Sequence, residues 1–253
     1  MENTQDLQTQ VRQIILELAG YPFSQIFDIL PIEKKLREME ASAPQSIEIL
    51  IGQMFAAVLL GKPAEARALG ERIWKIGGNL AQFYEIVYTD CLLNIGEIDK
   101  AGILLNDRLH NIGGNLQNFY TPMVKFALLS GNLRLLKNIG EYPNVYQQEA
   151  ELFDFANHHT NNLSERDYKA VLQIVLTQLK NVLCAFDYVM YNDGQIEFLL
   201  YTTEGVDQNA DLLKLLEEKF NGYFTSMQEP PLHDLSFKLL NIKLHPSWMN
   251  PQA

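Results

Sequence analysis

The sequence predicts a mainly α protein, a solenoid of paired helices followed by a small α+β region, and three observations carry that prediction. The stretch IGGNLAQFY, from Ile76, returns as IGGNLQNFY from Ile112. Gly61, Gly96 and Gly131 stand 35 residues apart, each between two stretches whose apolar residues recur at helical spacing. Near residue 161 that texture ends, and two aromatic and β-branched runs follow around Asp193-Gly194. A period of 35 to 36 residues with two helices per unit marks a helical solenoid, in which each pair covers the apolar face of its neighbour.

Taken in chain order, Leu7, Val11, Ile14, Ile15 and Leu18 form one apolar stripe before the stop Gly20-Tyr21-Pro22, and Leu36 and Met39 continue after Pro31. These helices begin or cap the solenoid. Lys34, Lys35 and Arg37 alternate with Glu33, Glu38 and Glu40, the pattern of an exposed helix face carrying close charge pairs. Ala66, Leu69, Ile73 and Ile76 recur before Gly77, as Ala101, Leu104, Leu105 and Leu109 do before Gly113. Both glycine pairs are therefore expected to close helices. Asn79 with Gln82 has the form of a capping box on the next helix, and Asn115 with Asn118 a weaker version. Neither pair has the spacing of a phosphate-binding loop. Pro122, after Thr121, is compatible either with the first residue of a helix or with a kink within one.

The run Gly96-Glu97-Ile98-Asp99-Lys100-Ala101, preceded by Leu92 and Leu93, resembles the central turn of a tetratricopeptide repeat, and Gly61 to Ala66 is similar. The resemblance covers roughly residues 46 to 140. It departs from the family pattern where Met54, Thr89 or Val124 stands for the small residue midway along the first helix, and where Gly-Gly replaces the terminal proline. It implies a groove lined by the first helix of each pair, which here means Ile51 and Phe55, then Phe83, Ile86 and Asp90, then Thr121 and Lys125. The apolar members would anchor a protein or peptide partner while Asp90 and Lys125 set its orientation. The other reading of Ile51, Phe55, Phe83 and Ile86 is that they are core.

A helical region over residues 1–160 and an α+β region over 161–253 follow from the change in texture. Ser164, with Asp167 after it, opens a helix striped by Tyr168, Val171, Leu172, Val175, Leu176, Leu179 and Leu183. A two-residue turn at Asp193-Gly194 would pair Asn192 with Gln195, Met190 with Glu197 and Asp187 with Leu200, so that Asp187 and Glu197 lie on opposite faces and share no metal. A further helix and the run LSFKLLNIKL complete a three-stranded antiparallel or mixed sheet. His158-His159 point in different directions from one helix end, and no catalytic constellation or cofactor motif accompanies them.

Composition narrows the function classes. Over 253 residues, 20 basic and 31 acidic side chains give a formal net charge of −11, which opposes phosphate-backbone binding and argues against nucleic acid. The same charge permits a basic protein partner, and a homodimer is equally compatible. Cys91 and Cys184 stand alone in apolar runs, no segment is long and apolar enough for a membrane span, and the N-terminus lacks a leader pattern, so the expected address is the cytoplasm. Two function classes remain open. One is an interaction protein (adaptor, chaperone or inhibitor of the immunity type) using the repeat groove; the other is a metal-dependent or hydrolytic enzyme with its site in the α+β region.

Overall fold

A computed structural model of the chain describes residues 2–21, 26–142, 145, 149–162, 165–191, 194–224 and 235–242. Ser164, Asn192 and Asp193 lie outside them. Eleven helices and three strands occur among the described residues. Helices α1 (Glu2–Leu18), α2 (Ile26–Ser42), α3 (Ile47–Leu59), α4 (Pro63–Ile76), α5 (Gln82–Asn94), α6 (Ile98–Leu109), α7 (Ile112–Ser130) and α8 (Leu133–Gly140) form antiparallel pairs. They are followed by α9 (Ala150–Asn162), α10 (Glu165–Leu179), β1 (Leu183–Met190), β2 (Ile196–Thr202), α11 (Val206–Phe224) and β3 (Leu235–Asn241).

The first helices of successive pairs, α1, α3, α5 and α7, pack side by side. Helix α3 is the most enclosed. Its residues Ile49 to Met54 and Ala56 to Leu59 are all buried, because α1, α2, α4 and α5 surround it. The absence of a side chain at Gly52 lets Leu36 and Ile15 close on its backbone. The second helices form a separate layer joined by ion pairs. Glu33 of α2 accepts from Lys62 at the start of α4 at 3.0 Å, Arg37 pairs with Glu65, and Glu40 pairs with Arg72. One step further, Arg67 meets Glu97 at 2.8 Å and Glu71 meets Lys100. The alternation of charges in α2 thus serves both the helix itself, through Glu33 and Arg37, and the next helix of the layer.

Gly61, Gly96 and Gly131 sit in the turns within the helix pairs with φ of +63°, +75° and +69°, a conformation that side chains resist. All three turns lie on one edge of the array, and the C-terminal unit is packed against that edge. A Cβ at Gly61 would stand 3.1 Å from Ile242, one at Gly96 3.2 Å from Leu183, and one at Gly131 2.7 Å from the Cα of Lys169. Helix α10 runs along the tips, from Lys169 beside Gly131 to Leu176 beside Gly96. Seven helical residues rise about 10 Å, close to the spacing of packed neighbouring helices, so one helix can touch successive turns. A single cluster of buried apolar residues extends from Val11 through the helix pairs to Phe198 and Leu239 of the sheet.

The sheet has the order β1-β2-β3, antiparallel between β1 and β2 and parallel between β2 and β3, with α11 as the crossover. One face, with Phe186, Phe198 and Phe237, meets Tyr168 of α10 and Phe220 of α11 through ring contacts.

Three local expectations are corrected and one is decided. Gly77 does close α4, at φ +65° with its N–H bonded to the carbonyl of Ile73, but Gly113 and Gly114 lie in the first turn of α7. There the Asn111 side chain accepts from the N–H of Gly114 and starts the helix earlier, and the ring of Tyr142 occupies the space a Cβ of Gly113 would need. Neither Asn79 nor Asn115 is an N-cap, since Ala81 is the N-cap of α5 without a side-chain bond and Asn111 takes the role at α7. Pro122 lies inside α7, not at its start. The hairpin pairs Met190 with Ile196, Val189 with Glu197 and Asp187 with Leu199, one residue off the expected register. Tyr191 donates to the carbonyl of Gln195 and Gly194 takes φ +84°, which makes the connection three residues long with the left-handed residue last.

Two outcomes test this fold. Gly194→Ala, at φ +84° and with nothing within 4 Å of its Cβ, should cost about 1 kcal/mol in urea unfolding for the backbone conformation alone. Gly131→Ala adds the overlap with Lys169 and should cost about 2 to 4 kcal/mol. Equal costs would contradict the packing of α10 on the turn edge. The second outcome concerns acid. Burial alone would raise the Glu33 carboxyl, but hydrogen bonds from Arg37 and Lys62 outweigh it and hold it below its ordinary 4.5; Glu97 is lowered likewise against its burial by Arg67 and Lys100. Between the folded and unfolded values the unfolded chain binds more protons, so this stability is fully present above about pH 4.5 and is lost as pH falls through the folded values. Glu33→Gln should flatten the stability profile below pH 4.5 and cost about 2 kcal/mol at neutral pH.

Candidate functional site

The groove residues expected from the repeat resemblance fall into different surroundings. Ile51 is fully buried within α3 and presents no surface. Phe55 is half-buried and packs against both apolar clusters of the helical array. On α5, Phe83 and Ile86 are half-buried, and the Arg12 guanidinium lies over the Phe83 ring at 5.0 Å from its centroid. Asp90 accepts from Lys125 of α7 at 2.8 Å and from the Asn94 side-chain amide at 3.0 Å, so these two charges satisfy one another across one repeat step. Thr121 is exposed. The structure therefore brings Phe83, Ile86, Asp90, Thr121 and Lys125 onto one α5–α7 strip, shallow and largely occupied by its own partners.

A deeper concavity opens on the other layer. Between α6 and α10 lies a cleft of about 980 Å³, floored by Phe126 and Leu129 of α7 and walled by Ile98, Ile103 and Leu176. Two features of α6 create it. Gly102 stands in the middle of the helix, where glycine costs about 1 kcal/mol relative to alanine, and its backbone conformation does not require one. A Cβ there would come within 2.9 Å of the Phe126 ring, so the glycine admits the ring beneath the helix. Ile103 points away from the core and is 62% exposed at the rim. The alternating stripe of Ala101, Leu104, Leu105 and Leu109 accounts for the buried side of α6; Ile103, an aliphatic residue off that stripe, was the signal in the sequence that something lies against the opposite side.

The charges around the cleft are not equivalent. Glu97 is held by Arg67 and Lys100, whereas Asp99 of α6 and Lys169 of α10 are exposed. Lys180, also exposed, follows the last residue of α10. The cleft-facing side of α10 reads Lys169, Gln173, Leu176, Thr177 and Lys180, with two cations and no anion.

Asp187 and Glu197 need a further correction. The observed register places Asp187 opposite Leu199, and Glu197 two residues from Leu199 therefore shares the face of Asp187 rather than opposing it. Glu197 accepts from the Tyr191 hydroxyl at 3.0 Å. Among the described residues no group of three or more His, Cys, Asp or Glu side chains is placed to hold a metal ion. His158 is exposed, while His159 is buried with its ring 4.3 Å from that of Phe155. Burial pushes the Cys91 thiol well up and the Cys184 thiol up to about 12, so both remain protonated at neutral pH. Among the described residues no helix is long and apolar enough to cross a membrane.

No known protein family, characterised protein or solved structure matches this chain.

Proposed function

We propose that this chain is a protein-interaction module, of the adaptor, chaperone or inhibitor kind, in which the helical array and the C-terminal α/β unit together hold a peptide segment of a partner protein. The observation that carries this reading is the cleft between α6 and α10, whose floor is apolar and whose rim exposes Ile103. An exposed aliphatic side chain beside a half-open aromatic floor is the kind of patch that a partner covers. The site stands on rigid elements, because α6 is fixed by ion pairs to α4 and α10 by contact with two turn glycines. The α5–α7 strip, with Phe83 and Ile86 half-exposed, offers a second and shallower contact on the opposite layer.

Photo-crosslinking locates the contact directly. A photoactivatable amino acid placed at Ile103, at Phe83 or at the exposed Lys35 should yield, in native lysate, one dominant adduct from position 103. It should yield none from position 35. An adduct confined to position 83 would move the contact to the α5–α7 strip. Equal labelling at all three positions, or none at 103 and 83, would contradict the interaction reading.

A further inference from the structure

The chemistry of the cleft specifies its occupant, an inference that rests on the interaction reading above. In the second-helix layer, ion pairs link α2 to α4 and α4 to α6, Glu33 with Lys62, Arg67 with Glu97 and Glu71 with Lys100. On its other flank α6 presents Asp99, Gly102, Ile103 and Asn106, a mixture of small, apolar and polar residues at helical spacing, to the open cleft. The next helix of that layer, α8, packs mainly on α7 and α9. The cleft-side flank of α6 is thus left without the next helix of that layer against it.

The length of that surface and its charges narrow the occupant further. Ile98 to Leu109 on α6 and Lys169 to Lys180 on the other wall each span twelve residues, a rise of about 16 Å, or three helical turns. Lys169 within α10 and Lys180 just past its end both line the cleft, so a ligand lying along it meets a cation near each end. Glu97 contributes little opposing charge because Arg67 and Lys100 already hold it, which leaves Asp99 against two lysines. This local excess of positive charge sits on a chain whose net charge is −11. At physiological ionic strength the distant charges are screened beyond about 8 Å, so the cleft lysines govern what docks there.

We infer that the cleft receives a three-turn amphipathic helix from a partner protein, with an apolar seam set on Phe126 and Ile103 and carboxylates directed at Lys169 and Lys180. The recognition mode is a helix in a groove, with apolar anchors at i, i+3 or i+4, and i+7, and acidic residues flanking them. A preference for acidic segments is local to this cleft and opposite in sign to what the net charge alone suggests.

A displayed library tests the assignment. Fourteen-residue helices with a fixed Leu/Ile seam and all other positions randomised among Asp, Glu, Lys, Arg, Gln and Ser are selected against the full-length protein. The recovered sequences should be enriched in Asp and Glu, and a representative fluorescein-labelled peptide should bind about threefold more weakly at 300 mM than at 50 mM salt. Selection against the Lys169→Glu, Lys180→Glu double variant should reverse the enrichment toward Lys and Arg, and Ile103→Asp should abolish recovery. The circular dichroism and melting temperature of each variant show that it is folded. Enrichment in Lys and Arg on the unaltered protein, with loss on Ile103→Asp, would overturn the acidic assignment while leaving the interaction reading intact. Recovery that is indifferent to all three substitutions, or no recovery from the unaltered protein, would overturn the helix-docking inference. Crosslinking at position 103 reports on the interaction reading independently of these peptides.

Discussion

The arrangement depends on three left-handed turns held on one edge. Gly61, Gly96 and Gly131 reverse the chain tightly enough for the helix pairs to stack, and their lack of side chains also leaves room for Ile242, Leu183 and Lys169 to approach the turn backbone. One residue type at one spacing therefore does two things. Alanine at these positions would oppose both, straining the backbone and pushing the C-terminal unit away. Because α10 bridges two of the turns, the step between repeats and the placement of the sheet are set by the same contacts, and the cleft between α6 and α10 is a direct product of that docking.

The energetic logic is divided between the layers. The α1, α3, α5 and α7 layer is joined mainly by apolar burial, to the point that α3 has almost no exposed face. The buried Gln53 amide there donates to the Leu36 carbonyl and to Glu40, whereas the buried Thr89 hydroxyl meets no partner among the described residues. The second layer carries the charges, and Glu33 gains from Arg37 on its own helix together with Lys62 of the neighbouring one more than burial costs it.

Much of the fold was legible because periodicity reports it. The 35-residue spacing of the turn glycines, the stripe of Val11, Ile14, Ile15 and Leu18, and the strand-forming runs on either side of Gly194 all reflect local backbone preference or one buried face. What could not be read is set by choices between nearly equal local options. Asp-Gly suits both two-residue and three-residue hairpin loops, and the difference of one residue moved Glu197 to the face of Asp187. A glycine pair can end one helix or begin another, and at Gly113-Gly114 the outcome turned on the Asn111 side chain. The α5–α7 strip was legible as a surface but not as one in which Asp90 and Lys125 pair with each other. The cleft joins α6 to α10, elements whose contact depends on tertiary docking, and only the off-stripe Ile103 hinted at it.

Docking of the C-terminal unit on the turn edge is the claim on which the rest stands, and proton–proton contacts measure it most directly. In a sample with protonated glycine Cα and Ile and Leu methyl groups on a deuterated background, nuclear Overhauser effects should join Gly61 to the Ile242 methyls and Gly96 to the methyls of Leu183 and Leu176. The account requires both sets together, because one rigid edge makes them. Strong contacts within the helix pairs, with neither set across the edge, would show that the C-terminal unit is not seated there and that the cleft does not exist in solution.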